Sequence, residues 1–145
     1  MIETRVNENN LQEQEELSFE AFKSIIINDY KIAFESRQAS LLGRKEVLTG
    51  KAKFGIFGDG KEVAQLAMAK VFMAGDWRSG YYRDQTFMLA AGMLTMPEFF
   101  AQLYANTDPD ADPGSGGRQM NCHFASRLLN EDGSWMDLTQ TKNSS

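Results

Sequence analysis

The chain has a single cysteine, Cys122, so it forms no internal disulfide, which fits a reducing compartment and, by default, the cytoplasm. No apolar run approaches the roughly 20 residues that span a bilayer. The densest stretch is Ile25, Ile26 and Ile27, which excludes membrane insertion. The N-terminus lacks the basic opening and apolar centre of a secretion signal, setting Glu3, Glu8, Glu13, Glu15 and Glu16 against Arg5 alone. There is no Lys/Arg stripe with interleaved aromatics and the net charge is −5, which argues against nucleic acid as a partner. A set of strands long enough to make a sheet is also missing. With 145 residues, 42% of them hydrophobic and 24% charged, the chain still has ordinary globular make-up and enough length for a core.

The charge that is present is unevenly spread. Residues 37–83 carry nine basic and four acidic side chains, whereas residues 84–145 carry three and eight. The middle of the chain is therefore where an anion would be met, and its positive charge ends on Arg83. Residues 1–17 read as a mobile acidic leader and 18–145 as the structured segment.

Ser18 fits a helix N-cap, with Glu20 in the first turn. Phe19, Phe22, Ile26, Tyr30, Ala33, Phe34 and Leu41 recur at three- and four-residue steps, predicting a core-facing helix that ends near Gly43. Arg37 lies on or beside that stripe and calls for a structural partner. Gly43, Gly50, Gly55, Gly58 and Gly60 then predict a basic loop. Val63, Leu66, Ala67, Val71 and Phe72 predict a second helix closing at Gly75. Residues 76–80 read as a turn, residues 81–83 as a short extended piece, and residues 84–93 as a helix. Thr95, Met96, Pro97 and Glu98 form a capping box that opens a further helix. Residues 106–117 read as a loop. Residues 118–145 hold an apolar fragment, a turn at Glu131, Asp132 and Gly133, and a polar end that completes nothing, so the chain is expected to be a segment of something larger.

Two stretches carry the chemistry. Tyr81, Tyr82, Arg83 and Asp84 set phenols and a guanidinium side by side. Gly116, Gly117, Arg118, Gln119, Met120, Asn121, Cys122, His123 and Phe124 bring a second Arg, amides and the chain's only His out of a glycine hinge. Two readings stay open on these residues alone: an anion held by a guanidinium fork and a phenol, or Tyr82 as a core aromatic with Arg83 paired to Asp84.

Three other motifs invite over-reading. Gly58, Asp59 and Gly60 mimic the opening of a magnesium motif, but no Asn pair follows at the required distance. Asp108, Asp110 and Asp112 mimic a calcium loop, against which stand Pro109, Pro113 and the missing Glu at the twelfth position. Gly114, Ser115, Gly116 and Gly117 lack the Lys and Ser/Thr of a phosphate loop and read as a hinge. Cys122 and His123 are adjacent, so they do not readily ligate one metal, and a nucleophile–base pair would need them facing each other.

Over residues 28–126 the chain resembles the alpha part of the thiamine diphosphate-dependent decarboxylating component of 2-oxoacid dehydrogenase complexes. Gly60, Lys61, Glu62, Val63 and Ala64 are similar to that family's Gly-Gln/Glu-Glu-Ala helix start, and Tyr82, Arg83 and Asp84 to its Tyr-Arg-Asp. Gly117, Arg118, Gln119, Met120 and His123 are similar to its Gly-Arg-Gln-Met-x-x-His, nearer the branched-chain (2-oxoisovalerate) type than the pyruvate type. The chain departs from the pattern at Lys61, Asn121, Cys122, Phe124 and Ala125, which bears on the substrate more than on the fold.

The resemblance implies an α/β thiamine diphosphate-binding fold, of which this stretch is the mainly α-helical part, with the parallel sheet beginning after residue 145. It implies thiamine diphosphate contacted by Tyr82 and Arg83, His123 on the substrate side, and magnesium ligands beyond residue 145. It also implies oxidative decarboxylation of a 2-oxoacid, with the acyl group passed to a lipoyl arm of an acyltransferase component. The partners would be a beta subunit, or a beta half of the same chain, in an α2β2-type assembly. The rival readings are a non-catalytic helical interaction module and another thiamine enzyme such as a transketolase-like one.

Overall fold

The computed structural model describes residues 17–145. The acidic leader, apart from Leu17, lies outside the described residues. Helix α1 (Phe19–Leu48) starts where expected, the Ser18 hydroxyl accepting from the Ala21 N–H at 3.3 Å. It does not end at Gly43. A Cβ on Gly43 would stand 2.5 Å from Phe57 Cε1, so this glycine admits the Phe57 ring against the helix and the helix runs on through it. The terminating glycine is Gly50, at φ +77°. Its N–H donates to the Val47 carbonyl and that of Lys51 to the Glu46 carbonyl, both at 3.0 Å, the paired closure of a helix C-terminus.

The apolar stripe of α1 also corrects the sequence expectation. Phe19, Phe22, Ile26, Tyr30, Phe34 and Leu41 are exposed, and the buried face is Ser36, Ala39, Ser40, Gly43 and Glu46. Helices α2 (Glu62–Lys70) and α3 (Gln85–Ala90) pack across that face and on each other. Small hydroxyl residues allow the approach and are hydrogen-bonded in it: Ser36 and Thr86 hydroxyls meet at 2.6 Å, and Gln85 Nε2 donates to Ser40 Oγ at 2.7 Å. In α2 likewise, Glu62, Gln65, Leu66 and Ala69 are buried while Val63 and Val71 are exposed. Arg37 finds its partner in Glu62, Nε to Oε1 at 2.7 Å and Nη2 to Oε2 at 3.2 Å. Helix α4 (Met96–Leu103) carries the expected capping box, with Glu98 accepting from the Thr95 N–H at 2.7 Å.

The core has two parts. One gathers Ala39, Ala52, Phe57, Phe99, Leu103 and Cys122; the other gathers Ala69, Phe87, Met88 and Ala91; and Leu94 and Phe124 pack against both.

The segment read as a turn contains a strand, β1 (Trp77–Arg78), and residues 81–84 close a turn instead, the Asp84 N–H donating to the Tyr81 carbonyl at 3.1 Å. The polar C-terminal stretch is not idle. Strand β2 (Asn143–Ser144) lies parallel to β1, and Asn143 and Ser144 are buried: the Asn143 side chain donates to the Leu138 carbonyl at 2.8 Å and Ser144 Oγ to the Phe124 carbonyl at 2.8 Å. Among the described residues the regular structure is thus mostly helical, as expected, with one small parallel pair of two residues a side that the sequence did not announce. No described helix is long and apolar enough to cross a membrane.

The Arg37 guanidinium and the Gly60 N–H hold the Glu62 carboxyl below the usual carboxylate range despite its burial. A group whose folded pKa is depressed stabilises above its unfolded value and loses that contribution as pH falls through the folded one. The chain should therefore lose stability as pH drops below about 4.3, the ordinary Glu value. Glu62→Gln should be less stable at pH 7 and show a shallower loss below that point. Denaturant midpoints over a pH series check this; parallel curves for the two proteins would refute it.

Candidate functional site

The turn carrying Tyr81, Tyr82 and Arg83 is anchored from β1. Arg78, whose side chain is only 9% exposed, donates through Nη2 to Asp84 Oδ2 at 2.8 Å and through Nη1 to Ser144 Oγ at 2.6 Å. Its guanidinium carbon stands 5.9 Å from both the Phe87 and Phe124 ring centroids. The Tyr81 N–H donates to the same Asp84 oxygen at 2.9 Å, so one carboxylate fixes both ends of the turn. Asp84 is therefore committed to Arg78 and not to Arg83, which removes the ion-pair reading of Arg83.

Arg83 is exposed and, among the described residues, forms no salt bridge; its guanidinium carbon lies 5.3 Å from the Tyr82 ring centroid. The same Tyr82 ring lies 5.9 Å from the His123 ring. Tyr82, Arg83 and His123, about forty residues apart at the extremes, are thus brought together around one half-buried phenol. The Tyr81 phenol stands above its ordinary pKa, chiefly because the Tyr82 hydroxyl adjoins it. His123 Nδ1 is 3.1 Å from the Met120 carbonyl and 3.4 Å from that of Asn121. Carbonyls only accept, so they place the hydrogen on Nδ1 and leave Nε2 as the nitrogen with chemistry to offer.

A cavity of about 180 Å³ opens beside His123, lined also by Tyr81, Gln119 and Arg78. Arg83 does not line it. Larger cavities lie elsewhere, an apolar groove of about 440 Å³ between α1 and α4 and one of about 420 Å³ beside Arg127 and Lys142. Arg118 does not line this cavity either, and its Nε donates to the Ser115 carbonyl of its own loop at 2.7 Å.

Cys122 and His123 do not form a reactive pair. Cys122 is fully buried at φ +63°, its Sγ facing Asn121 Nδ2 at 3.1 Å and Gln85 Oε1 at 3.9 Å, and burial pushes its thiol strongly up. Two of the motif acids, Asp59 and Asp112, are spoken for as well. Asp59 pairs with Arg44 at 2.6 Å, and Asp112 accepts from Ser115 Oγ at 2.7 Å and the Gly117 N–H at 2.9 Å, folding the glycine loop back on itself. Gly58 has a different use from the one its motif suggests: a Cβ there would collide with the Arg83 carbonyl oxygen and lie 3.0 Å from its carbon. It is the glycine that lets the loop after α1 lie against the Arg83 turn.

Sequence reasoning missed Arg78, Gly58 and two buried glutamines. Gln65 Nε2 donates to the Arg83 carbonyl and Gln102 Nε2 to the His123 carbonyl, each at 2.8 Å. Gln65 sits in α2 on the face that turned out buried, which the spacing of apolar residues did not mark.

No protein-family model matches the chain, and no solved structure does. It is similar, over 80 residues at 39% identity, to a dehydrogenase subunit. That relative is the 2-oxoisovalerate dehydrogenase subunit alpha of Bacillus subtilis (strain 168), and the matched stretch is 54% of this chain and 23% of the relative. The chain thus spans about a quarter of the length of the curated relative it matches.

Two substitutions test the frame of the site. Gly58→Ala should cost about 1–3 kcal/mol, because the atom it meets is backbone and cannot move aside. Arg78→Met should cost about 3 kcal/mol, the range for stripping one partner from a buried charge pair, lowered somewhat because Asp84 keeps partial contact with water. Denaturant unfolding measures both, and an unchanged midpoint for either variant contradicts the corresponding contact.

Proposed function

We propose that the chain is a segment of the alpha part of a thiamine diphosphate-dependent 2-oxoacid dehydrogenase, acting on a branched-chain 2-oxoacid or on pyruvate. What carries the reading is the meeting of Tyr82, Arg83 and His123, two distant stretches converging on one phenol. The identity to a 2-oxoisovalerate dehydrogenase subunit gives the chemistry its class.

The donor set fits a diphosphate. Arg83 offers a planar fork of N–H donors with no carboxylate on it among the described residues, because Arg78 has taken Asp84. Tyr82 adds a hydroxyl beside it. Bound thiamine diphosphate supplies the carbanion chemistry of decarboxylation, and the protein orients and polarises. In this chain Arg83 would meet the diphosphate with its N–H fork, offsetting part of the charge, and Tyr82 would donate one neutral hydrogen bond. His123, with Nδ1 held by carbonyls, presents Nε2 to the 2-oxoacid, where it accepts a proton while neutral and meets the carboxylate only once protonated. No residue of this chain is assigned to magnesium; Asp59 and Asp112 are engaged by Arg44 and by the glycine loop. The remaining wall of the site, the beta part and the lipoyl-bearing acyltransferase that receives the acyl group belong to the complete assembly.

The exposed aromatic face of α1 favours association with other polypeptide. That suits an interaction module as well as an enzyme subunit, and the similarity to a dehydrogenase subunit favours the enzyme.

Titration of thiamine diphosphate into the complete enzyme tests the assignment. A charge-assisted hydrogen bond is worth about 1.5–3 kcal/mol, so Arg83→Ala should raise the cofactor requirement at least about tenfold. Tyr82→Phe should raise it less. His123→Ala should lower turnover or raise the requirement for the 2-oxoacid while leaving cofactor binding largely intact. If Arg83→Ala binds thiamine diphosphate like the parent, the site is misassigned.

A further inference from the structure

The site residues sit on irregular chain, a turn at 81–84 and the stretch 120–124, so no helix or strand fixes their direction. Two helix-borne amides do so. Gln65, from α2, donates through Nε2 to the Arg83 carbonyl at 2.8 Å and accepts through Oε1 from the Phe87 N–H at 3.0 Å. Gln102, from α4, donates through Nε2 to the His123 carbonyl at 2.8 Å and accepts through Oε1 from the Cys122 N–H. Both side chains are nearly inaccessible, at 7% and 5% exposure. Neither amide can flip, because a carbonyl only accepts and a backbone N–H only donates.

We propose that Gln65 and Gln102 are separate positioning residues for the two arms of the site, Gln65 setting Arg83 and Gln102 setting His123. Each clamp grips the peptide of its site residue and thereby the direction in which that side chain leaves the backbone. The clamps belong to different helices and share no hydrogen-bond partner. Gln85 shows what plain structural bonding looks like here: its amide joins Ser36, Ser40 and the Gly58 N–H and touches neither the Arg83 nor the His123 peptide. Positioning of this kind governs a site because a first contact held loosely loses the geometry on which binding and proton transfer depend.

The activity arm of the test rests on the dehydrogenase reading, and the exchange arm does not. Gln65→Glu and Gln102→Glu in the complete enzyme keep side-chain volume and the acceptor but set an oxygen against the carbonyl that Nε2 had bonded. Gln65→Glu should raise the thiamine diphosphate requirement about tenfold, with turnover at saturating cofactor within about twofold of the parent. Gln102→Glu should lower kcat/KM for the 2-oxoacid about tenfold, with the cofactor requirement within about twofold.

In enzyme without cofactor, amide hydrogen exchange should speed up in residues 81–84 only for Gln65→Glu and in residues 120–124 only for Gln102→Glu. Gln65→Met and Gln102→Met, which bring no buried charge, should give the same split. Exchange that rises in both stretches for either variant, or in neither, overturns the proposal, as does an unchanged split of kinetic constants in an active enzyme. Exchange that follows the pattern in an enzyme without thiamine-dependent oxidation leaves the clamps standing and removes the dehydrogenase reading.

Discussion

The placement of the site depends on the ion pair between Arg78 and Asp84. A guanidinium this far from water is costly unless each donor is used. Here the donors go to Asp84, to Ser144 Oγ and, at 3.4 Å, to the Met88 sulfur, with Phe87 and Phe124 rings beside the planar group. That requirement explains why a parallel pair of only two residues a side persists: β2 is needed to bring Ser144 to Arg78. It also explains why the turn holds its shape, since the Asp84 oxygen that receives Arg78 receives the Tyr81 N–H as well. The consequence for chemistry is indirect but decisive. With Asp84 occupied, the neighbouring Arg83 is left without an ion-pair partner among the described residues.

A second constraint is the number of irregular segments that converge between the helices. Buried loop backbone brings N–H and C=O groups that no ladder satisfies. Gln65, Gln85 and Gln102 answer this by reaching from helices into loops, each using donor and acceptor together. A glutamine suits the task because its amide reproduces a peptide group at the end of a flexible arm. The exception is Asn121 Oδ1, buried without a partner among the described residues beside Cys122, itself in the left-handed region at φ +63°. Both departures fall in the stretch that bears His123, where local cost of order 1–3 kcal/mol is carried by the surrounding packing.

Much of the fold was legible because local chemistry decides it. Ser18 and Thr95 cap the helices they were expected to cap, since an N-cap needs only a side-chain oxygen and nearby free N–H groups. Arg37 was expected to have a structural partner, and Glu62 is that partner. Gly43 was misread because a glycine ends a helix only when its φ turns positive, and here it serves a ring packed from Phe57, which local sequence does not reveal. The tail was misread because two-residue strands leave no alternation to detect, and the value of Asn143 and Ser144 lies in partners 67 and 66 residues away. Tyr82, Arg83 and His123 were singled out through motif order, and the structure sets Arg83 and His123 beside the Tyr82 ring. Arg78 was not, because nothing in its neighbourhood marks it as the cation that enters the core.

The largest error, the face of α1, has a physical cause that bears on what the chain is. Periodicity identified the apolar stripe correctly but equated apolar with buried. In the fold, Ser36, Ala39, Ser40 and Gly43 are inside because α3 can approach only over small side chains, while Phe19, Phe22, Ile26, Tyr30 and Phe34 meet water. Removing one such large side chain from water is worth about 1.5–3 kcal/mol. Left exposed together, they forgo stabilisation comparable to the roughly 5–15 kcal/mol that holds a whole domain. A helix with one face tuned for close packing by hydroxyls and an adjacent face tuned for area burial satisfies two different neighbours. The bundle described above is the first of them, and among the described residues nothing supplies the second.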